Sequence, residues 1–319
     1  MYTISDYKHI NAKTIDEAVN VLASEEAYVN AGGTDLMGVM RFHILPSEMY
    51  PKTVVNLKTI SPSLDYIKEE SGVLKIGAMT RLEDIAKSSV VKSKWAALAE
   101  AAAKTASPHI REMGTIGGNI CQHNRCWYFW KADNRFDCIR KGGNMCYAMA
   151  GENRYHSIFG AVKACVAVNP SDTAPALVAL NATIKTTKRS IPVEEFWDVA
   201  IPGSTILDKD EIVTEIQVPE FSGKSAFIKF ALRRSIDFPI VNCAAAISGS
   251  DARICLNAVY NIPKRATSAE DYIKGKTINE ENAEAAGNEA IKGAAALTYN
   301  KWKIQVAKGL VKQAILACK

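Results

Sequence analysis

Cysteines are concentrated in the middle of the chain, where their number and spacing suit metal binding. Cys121, Cys126, Cys138 and Cys146 lie close together, and Cys165 follows. Thiolates are soft donors suited to zinc or to iron–sulfur centres, and in a reducing compartment such a cluster favours a metal site over disulfides. The intervals fit neither paired C-x-x-C zinc sites nor a ferredoxin run. The spacing therefore predicts a metal site without naming the metal.

Two glycine-rich segments have the composition of anion-binding turns. "AGGTDL" spans residues 31–36 and "TIGGN" spans residues 115–119. Adjacent glycines let several backbone N–H groups approach a phosphate, although either segment alone could be an ordinary tight turn. Asp35 is expected to cap the helix that follows the first turn. Neither segment fits a Rossmann or P-loop pattern, so a nicotinamide or ATP fold is not indicated.

Aromatic residues and histidines accompany the cysteines. The run "WYFW" at 127–130 could shield a redox centre from water, or it could simply anchor the loop as apolar side chains. His109, His123 and His156 could in principle bind metal, although four thiolates already suffice. The aromatic residues and histidines are therefore compatible with a redox or metal centre and equally with an ordinary anchored loop.

A short acidic motif follows the cysteines. In "NPSDTAPAL", residues 169–177, Ser171 or Asp172 is expected to cap a helix. A carboxylate in this position could also bind the ribityl hydroxyls of a flavin. Both roles are open to Asp172.

The elements that would position these residues follow from hydrophobic periodicity. Residues 1–60 are predicted as a small α/β unit, in which Thr14 caps the first helix and the first glycine turn lies between a strand and a second helix. Residues 61–208 are predicted as a second unit that begins with a hairpin and includes a strand at 161–168. From residue 209, "EIVTEIQVP" and three further runs are predicted as consecutive antiparallel strands, followed by helices. Residues 121–160 show neither period, which indicates a long loop held by something other than a core.

Composition excludes several classes of protein. The net charge is +5 with acidic and basic residues interleaved, so no basic block predicts nucleic-acid binding. No apolar run approaches the roughly 20 residues of a membrane span, and no signal peptide is visible at the N-terminus. A cytoplasmic protein is expected.

The order of the motifs resembles a known family. "AGGTDLM", "ASPHIREMGTIGGNI", "PSDTAPAL", "EIVTEIQVP" and "AFIKFALRR" together resemble the FAD-binding medium subunit of the xanthine oxidase family of molybdenum hydroxylases, over nearly the whole chain. The resemblance implies an α+β protein: a two-part, vanillyl-alcohol-oxidase-like FAD-binding domain (1–60 and 61–208), followed by a smaller α+β C-terminal domain (209–319).

The same resemblance implies which residues bind FAD. The two glycine turns correspond to pyrophosphate loops, Thr105 and Lys229 to residues beside the flavin ring, and Asp172 to the acid that binds the ribityl chain; Val213 is expected to line the pocket. The implied FAD contacts are Ala31, Gly32, Gly33, Thr34, Asp35, Leu36, Thr105, Thr115, Gly117, Gly118, Asn119, Asp172, Val213 and Lys229.

The cysteine loop resembles an insertion found in part of this family. More than fifty residues separate Asn119 from Asp172, where most members have far fewer. The excess is similar to the loop of 4-hydroxybenzoyl-CoA reductase and of certain bacterial aldehyde oxidoreductases, whose FAD subunits carry a [4Fe–4S] cluster. The resemblance implies that Cys121 is spare and that the ligands, all within about 121–165, are Cys126, Cys138, Cys146 and Cys165.

The expected function is electron transfer within a complex. The resemblance implies a large molybdopterin subunit and a small [2Fe–2S] subunit as partners, in a heterotrimer or its dimer, and a ferredoxin-like or other external carrier. The alternatives are a stand-alone flavin oxidase or dehydrogenase, and a zinc-stabilised binding module. One departure from the family lies in "LNAVYN", where Asn257 and Ala258 replace a glycine turn and Asn is expected to take the positive φ.

Overall fold

The computed structural model describes residues 4–199, 203–233, 236–249 and 251–319. Residues 1–3, where the expectation of no signal peptide begins, and Arg234, the last residue of "AFIKFALRR", lie outside the described residues. Three units follow one another along the chain, each with its own sheet. The predicted α+β architecture is confirmed.

The first unit is a parallel three-stranded sheet of order β1-β3-β2. Thr14 caps the first helix as predicted, because its Oγ1 accepts a hydrogen bond from Glu17 N at 3.1 Å. The first glycine turn lies between β2 and α2, at the carboxyl end of a parallel strand, where α/β sheets commonly bind ligands. The elements are β1 Lys8–Asn11, α1 Ile15–Ser24, β2 Ala27–Asn30, α2 Leu36–Arg41 and β3 Thr53–Asn56.

The second unit is an antiparallel five-stranded sheet of order β4-β5-β8-β6-β7 with helices beside it. Its predicted hairpin turns at Ser71 and Gly72, which have φ of 52° and 76° and so suit a two-residue turn. The elements are β4 Ile67–Glu70, β5 Val73–Gly77, α3 Leu82–Lys87, α4 Ser89–Lys94, α5 Ala96–Ala103, α6 Pro108–Arg111, α7 Ile116–Cys121, α8 Tyr147–Ala150, α9 Thr173–Ala179, β6 Thr183–Thr186, β7 Ser190–Pro192 and β8 Val213–Pro219.

The C-terminal unit is an antiparallel sheet of order β12-β11-β10-β9 covered by three helices. Within the described ranges, none of the helices combines the length and hydrophobicity needed to cross a bilayer. The elements are β9 Lys224–Phe230, β10 Val241–Ser248, β11 Asp251–Asn257, β12 Lys264–Arg265, α10 Thr267–Ile273, α11 Glu280–Ala290 and α12 Lys301–Leu316.

Helices α5 and α9 join the second and third units. Both contact strands of the C-terminal sheet, and their small buried side chains extend the core of the second unit. Ala97, Ala101 and Ala102 of α5 are fully buried, which allows a close approach of neighbouring backbones. Just before α5, the Trp95 indole N–H donates to Pro219 O at 2.8 Å. The hydrophobic core is therefore continuous between the second and third units.

Two strand predictions are wrong. The strand at 211–219 is not the first of the C-terminal sheet, because β8 pairs with β5 and β6 of the second unit. The segment 161–168 forms no regular strand. Val162 and Cys165 instead exchange backbone hydrogen bonds of 3.0 and 2.9 Å across Lys163 and Ala164, whose φ values are 47° and 61°. Such a turn normally selects Asn-Gly, and Lys163-Ala164 carries no signal of that kind.

The prediction that Asn257 adopts the positive φ is wrong. Ala258 adopts the positive φ, 58°, and Asn257 ends β11. The Asn257 amide donates to Asn169 Oδ1 and to Ser171 O, at 3.0 and 2.8 Å. Asn257 thus connects the C-terminal sheet to the acidic motif.

Candidate functional site

The first glycine turn lies against residues 113 and 114, just before the second glycine segment, whose residues 116–119 are helical and begin α7. A Cβ built on Gly32 would be 2.2 Å from Met113 O, so only glycine allows this approach. A Cβ built on Gly114 would lie 3.7 Å from Thr34 Oγ1. Segments about eighty residues apart in the sequence therefore lie side by side, and their role as pyrophosphate loops stays a prediction.

The first turn presents free backbone donors. In the described structure, none of the N–H groups from Gly32 to Leu36 has a hydrogen-bond partner within the protein. Gly33 has φ of 74°, which only glycine adopts readily. Successive free N–H groups in such a turn form a concave site for an anion. This geometry suits a phosphate group.

The second turn mainly positions its neighbours. The Gly117 N–H donates to Ala78 O at 2.9 Å, and a Cβ on Gly117 would be 2.8 Å from the same oxygen. Thr115 caps α7 by accepting from Gly118 N at 3.1 Å. Gly117 is therefore required for packing against β5, and both glycine N–H groups are already occupied.

Asn119 joins α7 to the acidic motif. Its Oδ1 accepts hydrogen bonds from Ser171 Oγ at 2.6 Å and from Thr173 Oγ1 at 2.7 Å. Ser171 Oγ also accepts from Ala174 N at 3.0 Å and so caps α9. Of the two predicted caps, Ser171 is confirmed and Asp172 is wrong, because the Asp172 side chain makes no capping bond.

Asp172 is instead held by a buried basic residue. Its Oδ2 lies 2.7 Å from Lys229 Nζ, and its Oδ1 accepts from Asn242 Nδ2 at 2.8 Å. Burial raises the pKa of Asp172, and the Lys229 charge and the Asn242 hydrogen bond oppose that rise. The pair is almost fully enclosed.

Thr105 lies close to this pair, whereas Val213 belongs to the core. Lys229 Nζ donates a second hydrogen bond to Lys104 O at 2.9 Å, at the end of α5. Thr105, the next residue, donates its hydroxyl to Ala101 O at 2.9 Å. Val213 is buried in the core of the second unit. Its place in a flavin pocket stays a prediction.

Asp35 does not cap α2 as predicted, but connects the first turn to the cysteine loop. It makes no side-chain capping bond. Its carboxylate accepts from His123 N at 3.2 Å and from Arg125 Nη2 at 2.5 Å. The Arg125 guanidinium lies between two aromatic rings, 3.9 Å from the centroid of Trp130 and 4.3 Å from that of Phe238.

Four cysteine sulfurs influence one another, and the fifth is separate. Burial raises the pKa of Cys126 to about 12, and the sulfurs of Cys165 and Cys138 add to the rise. Burial likewise raises the pKa of Cys138 and of Cys165, and the Cys146 sulfur contributes to both. For Cys121, burial alone raises the pKa to about 12. That Cys126, Cys138, Cys146 and Cys165 are ligands stays a prediction.

The sulfurs are surrounded by hydrogen-bond donors. Backbone N–H groups of Tyr128 and Phe129 approach the Cys126 sulfur, and those of Arg140 and Lys141 approach Cys138. The Ala167 N–H donates to Cys165 Sγ at 3.4 Å. Such donors stabilise thiolates and ligated sulfur.

One histidine lies against the same group of sulfurs. His156 Nε2 is 3.1 Å from Cys126 Sγ. Burial lowers the pKa of His156 to about 4, so the ring is neutral near pH 7. Of the three histidines considered from sequence, this is the one placed beside a cysteine sulfur by a described contact.

The sulfurs are not drawn together around one point. In the ranges that the structure describes, no three His, Cys, Asp or Glu side chains form a group that could hold a single metal ion. The aromatic run divides: Phe129 is buried in a small core with Val39 of α2, whereas Trp127 is 46% exposed. The loop is therefore anchored by Phe129, and the aromatic residues do not act as one wall.

Several residues of the site were missed in the sequence. Arg140 and Lys141 are each 2% exposed, and "CIRKGG" could have drawn attention to them because two basic residues directly follow a cysteine. Arg125 and Asn242 carried no local signal, since their partners are distant in sequence.

Two family models and several relatives match the chain. Residues 5–221 match the family described as the FAD binding domain in molybdopterin dehydrogenase, and residues 226–317 match the CO dehydrogenase flavoprotein C-terminal domain. The aldehyde oxidoreductase FAD-binding subunit PaoB of Escherichia coli K12 is 29% identical over 95% of this chain and 94% of its own length. The carbon monoxide dehydrogenase medium chain of Hydrogenophaga pseudoflava is 26% identical over 88% of this chain and 84% of its own.

Solved structures show the same fold. A carbon monoxide dehydrogenase structure from Hydrogenophaga pseudoflava matches with a TM-score of 0.75 and 25% identity, covering 99% of this chain and 98% of that chain. Quinoline 2-oxidoreductase of Pseudomonas putida matches with a TM-score of 0.74 at 21% identity, over 99% and 98% of the two chains.

Proposed function

The chain belongs to the family of FAD-binding subunits of molybdenum hydroxylases, and from this premise we propose that it holds a [4Fe–4S] cluster beside its FAD. It is an oxidoreductase subunit that transfers electrons within such a complex. We further propose which residues hold each cofactor, which subunits are partners, and that the cluster exchanges electrons with an external carrier.

The residues of the flavin site fit FAD. The free N–H groups of the first turn are suited to the pyrophosphate, and Asp172 is suited to the ribityl hydroxyls. Lys229, held by Asp172, would place a positive charge near the flavin ring and favour its anionic reduced form. Thr105 and the second turn, Thr115–Asn119, would complete the enclosure.

The observation that carries the cluster proposal is the arrangement of the cysteine loop. Burial raises the pKa of Cys126, Cys138 and Cys165, backbone N–H groups approach their sulfurs, and two buried basic residues of the same loop have no carboxylate partner in the described structure. A buried cation without a partner is costly, so an anionic group at the sulfurs would supply the missing charge. Cys126, Cys138, Cys146 and Cys165 would ligate it, each to a separate iron.

Zinc suits this arrangement less well. One zinc ion would require the sulfurs to converge within Zn–S bonds of about 2.3 Å, whereas the described side chains form no such group. An iron–sulfur cluster places its four thiolates on four different irons and so tolerates wider separation.

The cofactors supply electron transfer, with FAD exchanging one or two electrons and the cluster one. The chain contributes binding and electrostatics. The partners we propose are a large molybdopterin subunit and a small [2Fe–2S] subunit, with a ferredoxin-like or other external carrier at the cluster. Cytoplasmic localisation is part of the same proposal, as is the absence of nucleic-acid binding.

Cysteine-to-serine variants test the assignment. Each of Cys126→Ser, Cys138→Ser, Cys146→Ser and Cys165→Ser should lose most iron and acid-labile sulfide from anaerobically purified protein, because serine is a poor ligand for iron–sulfur clusters. Cys121→Ser is the matched control and should retain wild-type iron. Equal iron loss in Cys121→Ser, or full iron in any of the other four, would contradict the assignment.

A further inference from the structure

Two buried cations follow a cysteine of the loop, and their contacts within the described structure leave polar atoms of both without a partner. Arg140 and Lys141 form a single 3-10 turn directly after Cys138. Both are 2% exposed. Neither forms an ion pair with a carboxylate within the described part of the chain. A protein rarely buries two adjacent charges in this way unless an opposite charge compensates them.

The hydrogen bonds of Arg140 are incomplete. One amino group, Nη2, donates to Gly203 O at 2.9 Å and to Ser204 Oγ at 3.3 Å. The other, Nη1, is buried without a partner in the described structure. Burial lowers the pKa of this guanidinium, and negative charge on the sulfurs of Cys165, Cys138 and Cys126, or on Asp198, opposes that fall.

Lys141 is more isolated still. Its Nζ is buried and has no hydrogen-bond partner in the described structure. It lies 5.3 Å from the centroid of the Phe129 ring, and a cation–π contact compensates a buried charge only in part. The sulfurs of Cys138 and Cys126 act on it more strongly than the exposed carboxylate of Asp137. Within the described residues, Lys141 therefore brings a buried Nζ without a hydrogen-bond partner into the turn that directly follows Cys138.

We propose that Arg140 and Lys141 are positioning charges that raise the reduction potential of the cluster held by the four cysteines. The proposal rests on the proposed function, since it requires the cluster. Reduction adds one electron and hence one negative charge at the sulfurs, and nearby buried cations stabilise that added charge in a medium of low dielectric constant. In a potentiometric titration the electron comes from the added reductant, and no further reactant is needed.

Lys141→Met is the sharpest test, because Lys141 Nζ makes no hydrogen bond that the substitution would break. The EPR-monitored midpoint potential of the cluster in the anaerobically purified protein should become more negative. At a fixed potential the ratio of reduced to oxidised cluster should fall at least tenfold, which corresponds to about 59 mV for a one-electron couple. The flavin potential and the iron content should stay at wild-type values.

Two further variants separate charge from structure. Lys141→Arg keeps the positive charge and should restore most of the potential. Lys131→Met removes an exposed lysine from the same loop and should leave the potential within experimental error. A wild-type potential in Lys141→Met with full iron, or a Lys141→Arg potential as low as that of Lys141→Met, would overturn the inference. Absence of iron from the wild-type protein would instead overturn the proposed function.

Discussion

At the scale of single residues, contacts with distant segments determine what a side chain does, even where local sequence rules predict another role. Asp35 and Asp172 both stand where an acid normally caps a helix, and both were predicted to do so. Each instead bonds a basic residue from a distant segment, Arg125 or Lys229. A cap contributes about 1 kcal/mol, and a charge-assisted bond in a partly or fully buried setting can exceed that. Local patterns could not reveal these partners.

Lys229→Met should lower the reduction potential of the flavin. The substitution removes the positive charge that the site offers to a reduced, anionic flavin ring, and it leaves Asp172 without its partner. Spectroscopic redox titration of the FAD-loaded protein measures the effect. Lys264→Met, on an exposed edge of the C-terminal sheet with its Nζ over the ring of Phe159, serves as the control and should not change the flavin potential. An unchanged potential in Lys229→Met would argue against the proposed role.

At the scale of elements, the sequence predicted most of the longer helices and strands, but it missed the short elements β1, β12, α6, α7 and α8 and some of the pairings between strands. The hairpin at Ser71–Gly72 and the alternation around the first turn carried strong local signals. The sheet to which β8 belongs did not, because strand periodicity reports burial and not the identity of the neighbouring strand. The turn before Cys165 was missed because Lys163 and Ala164 are atypical residues for positive φ.

The Asp35–Arg125 ion pair joins the first glycine turn to the cysteine loop. Arg125→Gln should therefore weaken FAD binding, although Arg125 lies outside that turn. We expect about a tenfold loss of affinity, equivalent to about 1.4 kcal/mol, since the pair is largely buried. Fluorescence titration with FAD measures it.

A double-mutant cycle provides the control for this coupling. Asp35→Asn should have a similar effect, and the double variant should be no worse than either single variant. Arg135→Gln, at an exposed arginine of the same loop, should bind FAD normally. Additive losses in the double variant would show that the two side chains act independently.

At the scale of the whole molecule, the cysteine loop is part of the fold and contacts all three units. Phe129 packs with α2 of the first unit, and Arg125 pairs its backbone with Val168 beside the second. Lys303 of α12 donates to Tyr155 O, His156 O and Ala258 O at 2.9, 3.0 and 2.6 Å. The sequence indicated that something other than a core holds this loop, and the structure adds buried polar contacts that span the chain.

Lys303 should make stability depend on pH. Burial lowers its pKa from the ordinary value to about 7. Between pH 7 and about 10 the unfolded chain keeps this proton and the folded chain has lost it, so the free energy of unfolding rises with pH, by at most about 1.4 kcal/mol per pH unit. Urea unfolding of wild type and Lys303→Met at pH 7.5 and 9 measures the difference. An equal change in the free energy of unfolding between pH 7.5 and 9 in the two proteins would contradict this assignment.

We propose that one chain carries FAD and an iron–sulfur cluster side by side. The most direct measurement is the content of iron, acid-labile sulfide, zinc and FAD per chain, after anaerobic expression and purification. The account predicts about four irons and four sulfides with one FAD, and no stoichiometric zinc. One zinc per chain without iron, or FAD with neither metal, would contradict it.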